Sequence, residues 1–316
     1  MGHTSEAVGP DLERAHTFLV EHLGPGVGDV ELIGEGMWSR CFGFTHEGRE
    51  LAVCFGRHVD DYEKDRRAAS FASPALPVPR VVEIGPGLDD GWFAIAERAH
   101  GEPLEQLDRA GWRAVLPSLL AVFDALAAVD VAGSIGWGGW GPGGTAPMAS
   151  WRDYLLAVGD DALSPRTAGR RQLLIDSPYG DAAFRAALAR LTELSDAANG
   201  ATRSLVHADL TNRNVLVDSG RITAVLDWGC SLYGDFLYEL AWMEFWLPWC
   251  SAMVDADVVG AIKGHLASRD GARDDFDARL SACLLHIGLD HMAYNAWTGD
   301  MDDLGRVIDR TMEYVE

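Results

Sequence analysis

Basic side chains are scarce in this chain of 316 residues, in which 26 lysines and arginines stand against 48 aspartates and glutamates. Only two residues, Lys64 and Lys263, are lysines. The formal net charge of −22 argues against a nucleic-acid partner, because such a partner's phosphates must be neutralised by basic residues. An acidic surface favours a cationic partner, but it also keeps a protein soluble, so the charge leaves both interpretations open.

Cysteine is also sparse, and no two of the five cysteines form a Cys-x-x-Cys pair. Their odd number and wide spacing indicate neither a disulfide framework nor a zinc site. The N-terminal segment lacks the basic stretch and apolar core of a signal peptide, and no apolar run reaches the roughly 20 residues that span a bilayer. We therefore expect a reduced, cytoplasmic, monomeric protein with no membrane partner.

The first hundred residues alternate between helix and strand patterns. A helical segment ends at Gly24, and three strand-like segments follow within 29–56. A second helical segment covers 60–73, and two further strand-like segments cover 80–85 and 91–97. The pattern predicts a small, sheet-rich lobe at the N-terminal end of the chain.

Long helical patterns dominate the rest of the chain, with one β-rich interruption near residues 204–228. The glycine- and tryptophan-rich segment 132–147 is predicted to be a surface loop. The sequence therefore predicts an α+β fold of two lobes. The predicted units are a sheet-rich N-terminal lobe at 1–100, a connection at about 97–101, and a large, mainly helical C-terminal lobe at 101–316.

Short polar residues separate two β-prone runs in the stretch SLVHADLTNRNVLVDSGRITAVLDW. Its Ser-Gly pair fits a two-residue hairpin turn. A turn at that place puts Asn212 opposite Asp227, with Asn214 further along the same face. Asp209 lies on the loop that leads into the hairpin. Carboxylate and amide oxygens in this arrangement suit Mg²⁺ held against phosphate oxygens.

The spacing of this polar cluster resembles the catalytic loop and metal-binding segment of the protein kinases. His207 precedes Asp209 by two residues, Asn214 follows Asp209 by five, and Asp227 follows Asn214 by thirteen. With tryptophan after the last aspartate, the chain resembles the aminoglycoside phosphotransferase family, and within it the hygromycin B phosphotransferases. The likeness extends to the segments SRCFGF, YEKDR, FASPALPVP, WRDYL, YGDFLYELA and IGLDH.

The resemblance implies a protein-kinase-like fold and a role for each polar residue. Asp209 would accept the proton of the acceptor hydroxyl, while Asn214 and Asp227 would hold Mg²⁺. His207 is expected to brace the loop. The implied reaction moves the γ-phosphoryl group of ATP or GTP to a hydroxyl of a cationic aminocyclitol or aminoglycoside, with hygromycin B as the expected acceptor and antibiotic resistance as the outcome.

The nucleotide site implied by the resemblance lies in the N-terminal lobe. Gly34 and Gly36 would form the turn that covers the phosphates, where glycine lets backbone amides come close. Ser39 is a candidate phosphate contact. The backbone from Glu97 to Ala99 would meet the base at the connection between the lobes.

One position departs from the kinase pattern. Cys54 stands on the third strand, where kinases carry a basic residue that reaches the phosphates. Lys64, on the following helix, is the first candidate to replace it, and Arg57 and Arg40 are the others. In the alternative interpretation, Lys64 only pairs with neighbouring carboxylates on a solvated face.

The acceptor site is expected after the metal-binding segment. Carboxylates bind ammonium groups and aromatic rings pack on sugars, so we select residues of these types that share helical faces. The selected residues are Asp235, Glu239, Trp246, Asp290 and Tyr294. Two alternatives stay open: Asp235 caps a helix, and the tryptophan stripe belongs to the core.

Two other functions fit parts of the pattern. The chain could phosphorylate another small hydroxylated metabolite, since kinases of this type share chemistry more than substrates. It could instead be a nucleotide-binding pseudokinase, as Cys54 suggests. The presence of Asp209, Asn214 and Asp227 together argues against the pseudokinase.

Overall fold

The computed structural model describes residues 9–160, 166, 168–211 and 213–316 except 271–274. Its helices are α1 (Leu12–Leu23), α2 (Val59–Ala68), α3 (Arg109–Ala127), α4 (Trp151–Ala157), α5 (Arg170–Asp176), α6 (Ala182–Leu194), α7 (Leu237–Trp246), α8 (Ser251–Asp255), α9 (Val258–Asp270), α10 (Phe276–Thr298) and α11 (Met301–Met312). Its strands are β1 (Val27–Glu35), β2 (Ser39–His46), β3 (Arg49–Gly56), β4 (Val81–Pro86), β5 (Trp92–Glu97), β6 (Glu102–Pro103), β7 (Gly138–Gly139), β8 (Arg203–Val206), β9 (Val215–Asp218), β10 (Arg221–Val225) and β11 (Leu232–Asp235).

The N-terminal lobe is a five-stranded antiparallel sheet covered by α1. The strand order is β1-β2-β3-β5-β4. Ala15 and Leu19 of α1 pack with Phe42, Phe44 and other buried residues of the sheet. Helix α1 ends at a glycine in the left-handed region, as predicted. The predicted strands and helices of this lobe are confirmed.

The cysteine expectation needs a correction in this sheet. The register of β2 and β3 places Cys41 directly opposite Cys54, with their Cα atoms 4.0 Å apart, and the two sulfurs are bonded. The prediction that no cysteines pair was therefore wrong. A separation of 13 residues gives no signal by itself, since the pairing follows from where the intervening hairpin turns.

Helices form most of the C-terminal lobe, and α10 is its central element, with buried residues on nearly every turn. Two small three-stranded sheets accompany the helices, in the orders β10-β9-β6 and β7-β11-β8. Strand β6 pairs with β9 as soon as the chain leaves the N-terminal sheet. The lobe boundary at residues 100–101 stays a prediction.

Judged by length and composition alone, helix α3 is long and apolar enough to cross a membrane. This finding contradicts the expectation that no apolar run is long enough to span a bilayer. One face of the helix packs into the core of the C-terminal lobe, through six buried residues that include Leu119 and Phe123. The core position accounts for its apolar composition without a membrane.

The glycine- and tryptophan-rich segment is largely irregular and partly exposed, as its composition predicts, but it is also anchored in the core. Trp140 within it is only 2% exposed and stacks on Tyr233 of β11. Strand β7 of the same segment pairs with β11. Glycine here lets the chain approach its neighbours closely: a Cβ on Gly136 would lie 2.0 Å from the carbonyl oxygen of Ala146.

The predicted hairpin is confirmed, but a bulge shifts its register. Ser219 and Gly220 form the two-residue turn, both with positive φ. A register shift before Ala224 then moves the pairing by one residue, and the Leu226 amide donates to the Asn214 carbonyl at 2.7 Å. The predicted position of Asn212 opposite the last aspartate falls outside the described residues.

Candidate active site

Asn214 holds the loop that carries Asp209. Its side-chain amide donates to the Asp209 carboxylate at 2.9 Å and to the Asp209 backbone carbonyl at 3.0 Å. Asn214 is itself largely buried, so its position is fixed by packing. These contacts use the amide nitrogen, which leaves the amide oxygen for another partner.

Asp227 lies at the end of the hairpin and faces the cleft between the lobes. It adopts a left-handed conformation with φ of 56°, and its carboxylate accepts a hydrogen bond from the Gly229 amide at 3.3 Å. A Cβ on Gly229 would lie within 3.4 Å of both Asp227 and Asp61, so the two carboxylates flank this glycine. Desolvation in the cleft and the negative charge of Asp61 raise the pKa of Asp227.

The donor set fits Mg²⁺. The amide oxygen of Asn214 and the carboxylate of Asp227 are hard oxygen ligands, the type that Mg²⁺ prefers. A bound cation would also offset the negative charge that raises the Asp227 pKa. Among the described residues, no group of three or more His, Cys, Asp or Glu side chains could form an all-protein metal cage. Two protein ligands with phosphate oxygens completing the shell are typical of a kinase magnesium site.

His207 attaches the catalytic loop to the backbone at Leu226. The ring is fully buried, and its Nε2 lies 2.9 Å from the Leu226 carbonyl oxygen. Because a carbonyl only accepts hydrogen bonds, this nitrogen carries a proton. Burial lowers the His207 pKa to about 4, so the ring is neutral at physiological pH.

Glu239 does not face a cleft, contrary to its prediction as an acceptor ligand. It is 0% exposed, and its carboxylate accepts hydrogen bonds from the backbone amides of His207 and Ala208. Ala208 has a φ of 63°, which an alanine rarely adopts, and Asp209 follows it directly. Burial raises the Glu239 pKa to about 7. Helix α7 is buried on nearly every face, so this carboxylate stabilises the catalytic loop from inside the lobe.

We expect Glu239→Ala to lower both stability and turnover. The change leaves two buried amides unpaired, at a cost of about 1–3 kcal/mol each. Glu239→Gln keeps an acceptor oxygen and serves as the matched variant, which should melt close to the wild type. Melting temperatures and steady-state rates of the two variants provide the check. Equal loss in both would mean that the charge of Glu239, rather than its acceptor oxygen, is what the loop needs.

Asp235 is also internal. It is 1% exposed, and both carboxylate oxygens lie 2.7 Å from guanidinium nitrogens of Arg279. One of these oxygens also accepts from the Leu237 amide at the start of α7, which supports the helix-cap interpretation. Its oxygens are used inside the lobe, so we leave Asp235 out of the acceptor site.

The other three candidates lie along one wall of the cleft. Asp290 pairs with Arg170 at 2.7 Å. The hydroxyl of Tyr294 donates to the sulfur of Met37 at 2.9 Å. Trp246 packs against His291, with ring centroids 4.8 Å apart. The two α10 residues share a face, as their spacing predicts.

The N-terminal lobe contributes to this wall through residues that no sequence prediction named. Trp38, next to Met37 on the turn after β1, stacks on Trp297 of α10 at 5.9 Å between centroids. A cavity of about 730 Å³ opens beside this contact and is lined by Met37, Tyr294 and the acidic residues Asp300, Asp302 and Asp303. A tryptophan in a glycine-rich turn was the available signal, since large aromatic side chains are rarely left without a partner.

Most of the predicted nucleotide residues lie at the turn after β1 and at the connection that follows β5. The turn after β1 is closed by the Gly36 amide, which donates to the Ser39 carbonyl at 2.9 Å, and Gly34 lies beside Cys41. Glu97 ends β5, and with Ala99 it lines a groove of about 440 Å³ at the connection between the lobes.

The three basic candidates have different surroundings. Arg40 donates to the Pro10 carbonyl at 3.1 Å and pairs with Glu35, so its guanidinium is engaged. Arg57 is exposed directly after β3. Lys64 is buried, and its ammonium donates to the carbonyls of Gly229 and Ser231. The solvated-face interpretation of Lys64 is therefore wrong.

A small antiparallel sheet above a helical lobe, with this aspartate, asparagine and aspartate at the cleft, defines the class of protein-kinase-like phosphotransferases. The chain belongs to the phosphotransferase enzyme family, whose model matches residues 29–276.

Relatives with assigned activities agree with this membership. The chain is 33% identical to hygromycin-B 4-O-kinase of Escherichia coli over 287 residues. The aligned region covers 90% of this chain and 80% of that protein. The crystal structure of aminoglycoside phosphotransferase APH(4)-Ia is similar, with 31% identity, a TM-score of 0.83, and coverage of 96% of this chain and 98% of that one.

A ternary complex of a thermostable APH(4)-Ia mutant with AMP-PNP and hygromycin B matches with 34% identity, a TM-score of 0.82, and coverage of 95% and 97%. The GDP complex of aminoglycoside 2'-phosphotransferase-IIIa, at 17% identity and a TM-score of 0.63 over 97% and 99% of the two chains, supports the fold alone. The predicted two-lobed, kinase-like α+β fold is confirmed.

Proposed function

We propose that this protein transfers the γ-phosphoryl group of ATP or GTP to a hydroxyl of hygromycin B and so confers resistance to it. The observation that carries the proposal is the junction of Asp209, Asn214 and Asp227 at one end of the bulged hairpin. The identity to hygromycin-B 4-O-kinase over most of the chain supports the choice of acceptor.

Asp209 is the base in the proposed reaction. The acceptor oxygen bonds to the γ-phosphorus, the bond to the leaving nucleoside diphosphate breaks, and the hydroxyl proton passes to the Asp209 carboxylate. Asn214 fixes that carboxylate at 2.9 Å, so the base is already oriented before the acceptor arrives. Asn214 and Asp227 would hold Mg²⁺, which would neutralise phosphate charge when bound.

The nucleotide would lie under the turn that contains Gly34, Gly36 and Ser39, with its base at the backbone of Glu97 to Ala99. Arg57 is our candidate for the basic phosphate contact, because it is exposed at the end of β3 and follows Cys54 by only three residues. Its guanidinium makes no hydrogen bond or ion pair within the described part of the chain, whereas the other two candidates are engaged.

The acceptor would lie against the α10 wall. Asp290 and the acidic cavity offer carboxylates to ammonium groups, and Tyr294 and Trp246 offer ring faces to the sugar. Arg170, His291 and His286 outweigh burial and lower the pKa of Asp290, so it stays ionised as a cationic acceptor requires. We further propose that the enzyme is a monomer and that it acts in the cytoplasm, where nucleoside triphosphates are available.

A coupled nucleotide-turnover assay tests the proposal. Hygromycin B should stimulate turnover well above a control without acceptor, and other aminoglycosides in the panel should do so less. Stimulation by a neutral hydroxylated metabolite alone would contradict the acceptor and leave the phosphotransferase standing. Nucleotide binding with no turnover for any acceptor would favour the pseudokinase.

Added salt should weaken hygromycin B binding much more than nucleotide binding. The chain carries a net charge of −22 and presents carboxylates along the acceptor wall, so attraction of a polycation contributes at low ionic strength. Screening shortens its range from about 30 Å at 0.01 M to about 10 Å at 0.1 M salt. Calorimetric titrations at the two concentrations measure both affinities. A salt-independent affinity for hygromycin B would contradict the charged acceptor wall.

A further inference from the structure

Two consecutive residues of α2 hold the segment that follows Asp227. The ammonium of Lys64 donates to the Gly229 carbonyl at 2.6 Å and to the Ser231 carbonyl at 3.0 Å. The carboxylate of Asp65 accepts from the Trp228 amide at 2.9 Å. Helix α2 belongs to the N-terminal lobe, so these three bonds cross the cleft and end on the backbone beside the metal ligand.

The Lys64 ammonium is buried among these partners. Lys64 is only 6% exposed, and two of its three ammonium hydrogens are used by the carbonyls. The ring of Trp140 lies 4.9 Å from the nitrogen. A direct phosphate contact would require these bonds to break and would leave two carbonyls without their donor.

The backbone at Asp227 needs such support. A non-glycine residue with a φ of 56° costs about 1–3 kcal/mol, and it persists only where the surroundings hold it. Within the segment itself, the Asp227 carboxylate has only the long bond from the Gly229 amide. The bonds from α2 are shorter, and they act on the Trp228 amide and on the Gly229 and Ser231 carbonyls, all within four residues of Asp227.

We propose that Lys64 and Asp65 are positioning residues that hold Asp227 at the metal site, and that Lys64 does not bind phosphate. This role rests on the proposed function, since it takes Asp227 as a ligand of Mg²⁺. It also gives Lys64 a structural role in a chain whose third strand lacks the basic residue that kinases carry there.

Nucleotide titrations with and without Mg²⁺ separate positioning from phosphate contact. Lys64→Met keeps the stem over Trp140 and removes the charge. If Lys64 only positions Asp227, the nucleotide affinity of the variant without Mg²⁺ should change by less than about twofold, the effect of losing an exposed ion pair. The gain in nucleotide affinity on adding Mg²⁺ should fall by about tenfold or more. A phosphate contact predicts a loss of about tenfold to a hundredfold without Mg²⁺, which would overturn the proposal.

Lys263→Met is the matched control, because Lys263 is the only other lysine, is 40% exposed and pairs with Glu244 on the outside of the helical lobe. It should leave both titrations unchanged. Asp65→Ala should reproduce the Lys64→Met result, and Asp65→Asn, which keeps an acceptor for the Trp228 amide, should restore most of the gain. Melting curves identify any variant that fails to fold, and the Asp65 pair then decides the question alone.

The wild-type titration separates a failure of this inference from a failure of the proposed function. Wild-type protein that binds no nucleotide with Mg²⁺ would contradict the proposed function itself, whereas wild-type binding with a Lys64→Met variant that keeps the full gain would contradict only this inference.

Discussion

Asp209→Asn should lower kcat by about 10²–10⁴, the usual contribution of a positioned general base. Asparagine keeps an oxygen that can accept from the Asn214 amide, so the loop conformation should persist. The residue acts on the acceptor hydroxyl, so nucleotide affinity should stay within about twofold of the wild type, less than the loss of even a weak contact. Initial rates and nucleotide titrations of the purified variant measure both quantities.

Retention of more than about a tenth of wild-type turnover would exclude Asp209 as the base, because such a loss is smaller than the usual contribution of a general base. Asp218→Asn provides the control, because Asp218 is an exposed aspartate of the same hairpin at the opposite end from the cleft. It should turn over acceptor at the wild-type rate.

Asp227→Ala should abolish the Mg²⁺ dependence of nucleotide binding. The carboxylate is one of two protein ligands in the proposed metal site, and no described group of three acidic, histidine or cysteine side chains could replace it. The variant should lose little stability because two effects oppose each other: an alanine rarely adopts a φ of 56°, but the ionised carboxylate is itself unfavourable in the folded protein. The raised pKa of Asp227 means that folding disfavours its ionised form, so above the ordinary aspartate pKa this carboxylate costs stability.

Calorimetry with and without Mg²⁺, together with melting curves at neutral pH, measures these two effects. A variant that keeps the full gain in affinity on adding Mg²⁺ would mean that the metal lies elsewhere. A large drop in melting temperature would mean that Asp227 is a structural residue, and the binding result could then not be assigned to the metal.

The hairpin was predictable because its strands and its turn have local signals, but the exact pairing was not. Ser219 and Gly220 suit a two-residue turn wherever they occur. The bulge before Ala224 has no comparable signal, and it is this bulge that brings the Asn214 backbone onto Leu226 beside Asp227. A one-residue shift in register depends on packing against the rest of the lobe.

The acidic residues show where helical spacing alone misleads. Glu239 and Trp246 occur on the same helix, but Glu239 is buried against the backbone of the catalytic loop, whereas Trp246 is not among the buried residues of the helix. A buried carboxylate is rare unless it has donors, and here the donors are backbone amides from a distant loop, which no sequence pattern displays. Asp235 was misassigned for the same reason, since its partner Arg279 is 44 residues away.

Lys64 was selected as unusual, but its surroundings were not predicted. Its charge suggested either phosphate or solvent, whereas the structure pairs it with two backbone carbonyls and the ring of Trp140. Trp140 lies in a segment whose composition predicts a surface loop, so nothing local indicates that it meets Lys64. Tertiary packing between distant segments buries the lysine.

Direct identification of the product tests the central claim, the transfer of a phosphoryl group to hygromycin B with Asp209 as the base. Protein, ATP, Mg²⁺ and hygromycin B are incubated, and the antibiotic is analysed by mass spectrometry beside a parallel reaction with Asp209→Asn. We predict a product that carries one added phosphoryl group in the wild-type reaction, formed at least about a hundredfold more slowly by the variant. Unmodified hygromycin B in a wild-type reaction that consumes ATP, or equal product from both proteins, would contradict the claim.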